Sequence, residues 1–147
     1  MKAGSSVVLN ASPDDVAQWL VDLGRYPQWM PMVHSAVADG DSAWLVELRA
    51  KVGPFARSKR LRMERTADET VDGVRTVVFD RREPDGSHHS RWSMTARISP
   101  ESGGTVVSID LEYGGALWTA GVLDKVLASN IDEGKKGLAR VVSEPRH

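Results

Sequence analysis

The spacing of apolar positions along the chain changes period twice, and these changes mark its elements. Val16, Trp19, Leu20 and Leu23 recur at i, i+3, i+4 and i+7, the spacing of a single apolar stripe on a helix. Ser12 is placed to cap that helix, Pro13 to open it where a missing N–H costs nothing, and Asp14 and Asp15 to favour its positive end. Gly24 reads as its stop. The spacing therefore predicts a helix from Pro13 to Gly24 whose stripe lies on an apolar surface. Ser5 to Asn10 reads as a preceding strand, and Tyr26 to Met32, with two prolines, as a short helical segment or corner.

Beyond Val33 the period falls to two. Val33 to Ala38 leads through the turn Asp39-Gly40-Asp41-Ser42 into Ala43 to Val52, with Trp44, Val46, Leu48 and Ala50 on one face and Glu47, Arg49 and Lys51 on the other. Gly53-Pro54 interrupts, and Ala56 to Ala67 resumes with Leu61 and Met63 opposite Arg60, Arg62 and Glu64. Val74 to Glu83, the turn Pro84 to Ser87, and His88 to Ile98 form the next pair; Trp92, Met94, Ala96 and Ile98 share a face. After the turn Glu101 to Gly104, Thr105 to Tyr113 sets Val107, Ile109, Leu111 and Tyr113 together.

From Leu117 the period returns to helical, and Trp118, Val122, Val126, Ile131, Leu138 and Val142 share a broad face. Gly134 and Gly137 fall on or beside that face, each costing roughly 1 kcal/mol of helix propensity relative to alanine. Close packing of the helix accounts for both; widening of a pocket is the alternative. The fold class is α+β: a curved antiparallel sheet of about seven strands wraps a long C-terminal helix, with two short helices after the first strand.

At 147 residues, with 41% hydrophobic and 27% charged positions, the chain suits one domain spanning residues 1–147. A net charge of -1 supplies no global field for a phosphate backbone, so nucleic acid is not an expected partner. No cysteine is present, which removes thiolate chemistry, and no apolar run approaches membrane-spanning length; a cytoplasmic protein is the expectation. The basic run Arg57, Lys59, Arg60, Arg62 and Arg65 reads first as a solvated strand face, with an anionic ligand, an acyl-carrier protein or a membrane surface as the partner it would otherwise steer.

The order of elements resembles the helix-grip fold of the START-like (SRPBCC) superfamily. It is most similar to the bacterial polyketide cyclase/dehydrase and lipid-transport branch, which includes proteins similar to the coenzyme Q-binding Coq10 group. The resemblance is carried by Ala11-Ser12-Pro13-Asp14-Asp15-Val16, Asp22, Tyr26 to Val33, Arg91-Trp92, and Gly104 to Val107 before Ser108 to Tyr113. It implies that sheet and helix enclose an apolar cavity taking a polyketide, quinone or lipid-like molecule. Trp44, Leu48, Leu61, Met63, Trp92, Met94, Leu111, Tyr113, Trp118 and Val122 are the candidates to line it, each also suited to ordinary core packing.

Polar groups on the cavity face bear on chemistry, because a buried polar side chain needs a partner or a function. Asp80 and Arg82 share parity on one strand. They face inward if Val78 does, and outward if Val77 and Phe79 face inward, in which case Arg81 follows the latter pair; the pattern leaves both registers open. An aromatase/cyclase would use His88 for proton transfer, Arg82 for carbonyl or enolate stabilisation and Tyr113 as hydrogen-bond partner, with Asp80 beside the ligand. The histidines lack metal-site spacing, and no phosphate-binding loop or nucleophile elbow is present, so neither a metal nor a cofactor is expected. A carrier that binds an apolar molecule without turnover is the leading expectation; a cyclase and a regulatory or interaction domain are the alternatives.

Overall fold

The computed structural model describes residues 2–52, 54–83, 91–114 and 120–143. In chain order the elements are β1 (Lys2–Leu9), α1 (Pro13–Ala17), a single 3-10 segment (Leu23–Gln28), β2 (Val33–Ala38), β3 (Ala43–Val52), β4 (Phe55–Val71), β5 (Val74–Arg81), β6 (Trp92–Glu101), β7 (Gly104–Tyr113) and α2 (Ala120–Ser143). The strands form one antiparallel sheet of seven, in the order β1-β7-β6-β5-β4-β3-β2, so each strand from β2 to β7 neighbours its successor and β1 closes on β7. α1 packs on β6 and β7, the 3-10 segment on β2, and α2 on β1 and β3. The expected α+β layout, with its sheet, final helix and two short early helices, is the one observed.

The first helix is shorter than its apolar stripe predicts. Ser12 caps it as expected, its Oγ accepting from the Asp15 N–H at 3.2 Å, but α1 ends at Ala17. The reason lies in the carbonyls beyond. The Trp19 carbonyl accepts from Trp29 Nε1 (3.1 Å), the Leu20 carbonyl from the Tyr26 hydroxyl (2.8 Å) and the Val21 carbonyl from Arg65 Nη1 (2.6 Å). These are acceptors a continuing helix would have used, and tertiary donors take them instead. Gly24 therefore lies inside the 3-10 segment rather than ending α1, and Asp22 caps the segment by accepting from the Gly24 N–H at 2.8 Å. The stripe is still buried: Val16, Leu20 and Leu23 are core residues, and Trp19 packs against them.

Strand lengths differ from the sequence pattern mainly at β4, which runs on to Val71 through a bulge between Arg65 and Ala67. It ends in a two-residue turn at Asp72-Gly73, both with positive φ (52° and 82°), the geometry that matches the twist of a hairpin. The register also settles the strand left open above. Val77 and Phe79 are fully buried, and Phe79 stands edge-on to Tyr26 and Trp44 at centroid separations of 6.0 and 5.7 Å. Those aromatic contacts fix the inner face of β5. Asp80 and Arg82 consequently point outward and Arg81 inward.

The same alternation divides the basic run. Arg60 and Arg62 lie on the outer face, Arg60 bonded to Glu47 and Arg62 to Asp39 at 2.9 Å. Lys59 and Arg65 share parity with the buried Leu61 and Met63, and Arg65 stacks its guanidinium over the Trp44 ring at 5.8 Å. The expectation of one solvated basic face holds for part of the run only.

α2 is held where Gly137 meets the backbone of Trp29: a Cβ built there would collide with the Trp29 carbonyl. Close approach, rather than pocket widening, explains this glycine. Gly134 differs, since a Cβ there would make ordinary contacts with Trp29 (3.7 Å) and Met30 (3.9 Å). Gly137→Ala is expected to lower stability by about 1–3 kcal/mol through overpacking, and Gly134→Ala to raise it by up to about 1 kcal/mol through helix propensity. Urea unfolding of the two variants checks both signs, and equal effects would contradict the assignment of the contact to Gly137.

Candidate functional site

The inner face of the sheet carries the candidate site as a row of side chains placed by strand register. Trp44 on β3 pairs with Met63 on β4, Met63 pairs with Arg81 on β5, and Trp92 on β6 pairs with Tyr113 on β7. The β5–β6 register ends at Asp80 opposite Ser93. Directly opposed side chains have Cβ atoms about 5 Å apart, so Trp44, Met63 and Arg81 form one row on the inner face and Trp92 and Tyr113 another. Leu61 and Leu48 flank the first row on one side, and Phe79, Met94 and Leu111 form a neighbouring row. Arg81, Trp92 and Tyr113 lie at the strand ends that lead from β5 to β6 and from β7 to α2.

The expected lining residues Trp44, Leu48, Leu61, Met63, Trp92, Met94, Leu111 and Tyr113 all lie on this face and are all buried. Trp118 and the side chain of Val122 fall outside the described residues, as do His88 and the turn Pro84 to Ser87. Asp80 and Arg82 do not join the row. The Asp80 carboxylate accepts from the Thr66 hydroxyl at 2.6 Å on the outer surface, and Arg82 is exposed. Their placement follows from the burial of Phe79, which a reading of parity alone had no means to weigh against Val78. Of the proposed acid–base set, the structure places Tyr113 alone on the inner face, its ring 5.7 Å from Trp92.

Among the described residues, the charged groups that reach the inner face are Arg81, Glu83, Lys59 and the Arg65 that stacks over Trp44. The Arg81 side chain is 8% exposed, and its Nε donates to Glu83 Oε1 at 2.9 Å. Glu83 lies just past β5, where the same oxygen accepts from the Arg62 backbone N–H at 3.3 Å and so stands in for a strand carbonyl. Lys59 feels both partners. Desolvation holds its ammonium below the ordinary lysine range, the Arg81 charge lowers it further, and Glu83 opposes the shift. The signal that pointed to this group was the alternation itself, since Arg81 follows Val77 and Phe79.

Trp92 adds a different kind of group. Its ring is 4% exposed, and its Nε1 is buried with no hydrogen-bond partner among the described residues. An unmet buried donor costs about 1–3 kcal/mol. By contrast Trp29 Nε1 and the Tyr26 hydroxyl are both satisfied. Burial there pushes the Tyr26 phenol well above its usual range, which suits a structural donor. Val7, Trp29, Met30, Val107, Ile131, Gly134 and Leu138 border an apolar crevice of about 20 Å³ between β1, β7 and α2. No group of acidic or histidine side chains among the described residues is arranged to hold a metal.

A seven-stranded antiparallel sheet curled over a C-terminal helix is the helix-grip fold. The chain belongs to the family described as polyketide cyclase / dehydrase and lipid transport, which matches residues 2–143. Solved structures carry the same fold. A START superfamily protein from Mycobacterium smegmatis is 15% identical and superposes with a TM-score of 0.72, covering 96% of each chain. A STAR-related lipid transfer protein from Xanthomonas axonopodis is 19% identical, with a TM-score of 0.68 over 97% of this chain and 86% of its own. The Zhui aromatase/cyclase from a Streptomyces species is 16% identical, with a TM-score of 0.64 over 97% of this chain and 93% of its own. No curated protein matches the sequence. Membership in the family supports a function in binding hydrophobic ligands. No helix among the described residues is long and apolar enough to cross a membrane.

Lys59 provides a test of the charged group. A base whose folded pKa is lowered binds fewer protons when folded, so stability rises with pH between the lowered pKa and the ordinary value of 10.5, and the penalty for the charged form is present below that window. Lys59→Met is expected to be more stable than the parent at neutral pH and to lose that alkaline rise. Urea midpoints of both proteins from pH 7 to about 10.5 measure the difference. A variant less stable at neutral pH would show that Lys59 is held by attraction instead.

Proposed function

We propose that the chain is a carrier or sequestering protein for a hydrophobic small molecule, polyketide, quinone or lipid-like, held between the inner face of the sheet and α2. The observation that carries this reading is the inner face itself. Trp44, Met63, Trp92, Met94, Leu111 and Tyr113 form a contiguous apolar and aromatic surface on one side of the sheet. Such a surface binds by removing apolar area from water, at about 25 cal/mol for each Å². Methionine and tryptophan give it the adaptable, large contacts that suit a flat or flexible ligand.

Family membership supports the same reading, since its description joins cyclases and dehydrases with lipid transport. A cyclase requires, in addition, polar groups that move protons at the ligand. With Arg82 on the outer surface, the enzyme reading has Tyr113 on the inner face and lacks its expected guanidinium. Binding without turnover needs only the apolar surface and is the function the described side chains support best.

Native mass spectrometry of the protein isolated from its own host is expected to show an added mass that organic extraction releases as an apolar compound. Leu111→Trp, which adds bulk to the inner face, is expected to weaken binding of the fluorescent probe N-phenylnaphthylamine about tenfold while leaving the circular dichroism spectrum unchanged. If the parent protein neither carries a compound nor takes up the probe, the reading is wrong. Turnover of the extracted compound by the purified protein would replace the carrier with the cyclase.

A further inference from the structure

The sheet ends at β2, and the sequence of that strand leaves its edge open. Val33-His34-Ser35-Ala36-Val37-Ala38 contains no proline and no Lys, Arg, Asp or Glu, the residues that ordinarily guard an edge against a further strand. The bulge lies between Val33 and Ser35, so the register from Ser35 onward is regular. In that register the Asp39 N–H donates to the Ala43 carbonyl at 2.8 Å and Val37 pairs with Leu45. Backbone groups alternate along an antiparallel pair: Val37 and Asp39 turn their N–H and C=O toward β3, and Ala36 and Ala38 turn theirs to the free edge. No other strand of the sheet takes these four groups up. The outer face beside them is apolar, since Val37 and Leu45 stand opposite each other at 62% and 52% exposure.

We propose that β2 pairs antiparallel with β2 of a second copy of this chain across a two-fold axis at Val37. Ala36 then exchanges both of its backbone bonds with Ala38 of the second copy, and Ala38 with its Ala36, so all four open groups are met. Val37 faces Val37 of the second copy, and the two Val37–Leu45 pairs join into one apolar patch. An axis at Ala36 or at Ala38 would keep the hydrogen bonds but set Val37 against Ser35 or Asp39, which leaves the valines in water. Charge selects the same register. Ser35 faces Asp39 of the second copy, and Ser35 lies beside Glu47, which holds Arg49 at 3.2 Å and Arg60 at 3.3 Å, a group of net charge +1. Asp39 holds Arg62 at 2.9 Å, and Arg62 also reaches Glu64 at 3.7 Å, a group of net charge -1. The axis sets the positive group of each copy toward the negative group of the other, which fixes orientation more than strength. Such a contact is isologous and closes as a dimer. It uses the edge and the outer face, so it stands apart from the ligand reading.

Sedimentation equilibrium of the full-length protein from about 5 to 500 µM is expected to show a monomer–dimer equilibrium, because a contact of one short strand falls in the weak class that buries less than about 1,200 Å². Val37→Lys sets two ammonium groups against each other at the axis and is expected to weaken the dimer about tenfold or more. Val8→Lys, at the exposed valine of the opposite edge strand β1, is expected to leave it within about twofold. The chain has no cysteine, so single cysteines report the register. Val37→Cys is expected to give a disulfide-linked dimer in a glutathione buffer, since facing Cα atoms about 4.5 Å apart admit the bond. Ser35→Cys, about 13 Å from its counterpart across the axis, is expected to stay unlinked. A monomer at every concentration, a dimer that survives Val37→Lys, or equal cross-linking of the two cysteine variants would overturn the pairing. If Val37→Lys fails to fold, the contrast between the cysteine variants decides. Uptake of N-phenylnaphthylamine by the parent protein tests the ligand reading separately, whichever way the dimer falls.

Discussion

The architecture depends on one close approach, that of α2 at Gly137 to the backbone of Trp29. Nothing larger than a hydrogen fits there. The contact joins the last element to the corner after α1, and further bonds tie the corner to its surroundings. Arg140 Nη2 donates to the Gln28 carbonyl at 2.9 Å from α2 and Arg65 Nη1 to the Val21 carbonyl from β4, while ahead of α1 the Thr105 hydroxyl of β7 donates to the Ala11 carbonyl at 2.7 Å. The corner thus serves as a clamp between sheet and helix, and it sets how far apart the two layers stand. Its own rigidity comes from Tyr26, whose ring touches Trp29 and Phe79 while its hydroxyl satisfies Leu20.

The clamp also explains why the two ends of the sandwich differ. At the clamped end, side-chain donors find carbonyl acceptors, and the apolar residues close around a crevice with room for little more than a water molecule. Where the strands lead to α2 and to β6, the inner face instead holds an indole N–H with no partner among the described residues and a charged group at its edge.

Parity in a strand is binary, and its chemical consequences are large. A shift of one residue in β5 would have put Asp80 and Arg82 on the inner face and Arg81 in water. The alternatives have similar hydrophobic patterns, because valines occupy both phases of the strand. Phe79 decides between them: its ring lies between Tyr26 and Trp44, elements far apart in the chain, and no local pattern contains that contact. The same holds for Lys59 and Arg65, which a run of basic residues presents as one surface and which the strand turns inward.

The pattern of residues by itself determined the α+β class, the order of the elements, the apolar faces of β3, β6 and β7, and the capped start of α1 at Ser12. These follow from periodicity and from caps, whose physics acts over a few neighbouring residues. Trp44, Met63, Trp92, Met94, Leu111 and Tyr113 were legible as lining candidates for the same reason. What only the tertiary structure decided is the end of α1, the inward turn of Arg81 and the distinction between Gly134 and Gly137. Each depends on a partner distant in sequence: carbonyls captured by Trp29, Tyr26 and Arg65, an aromatic contact at Phe79, and a backbone that meets one glycine and clears the other.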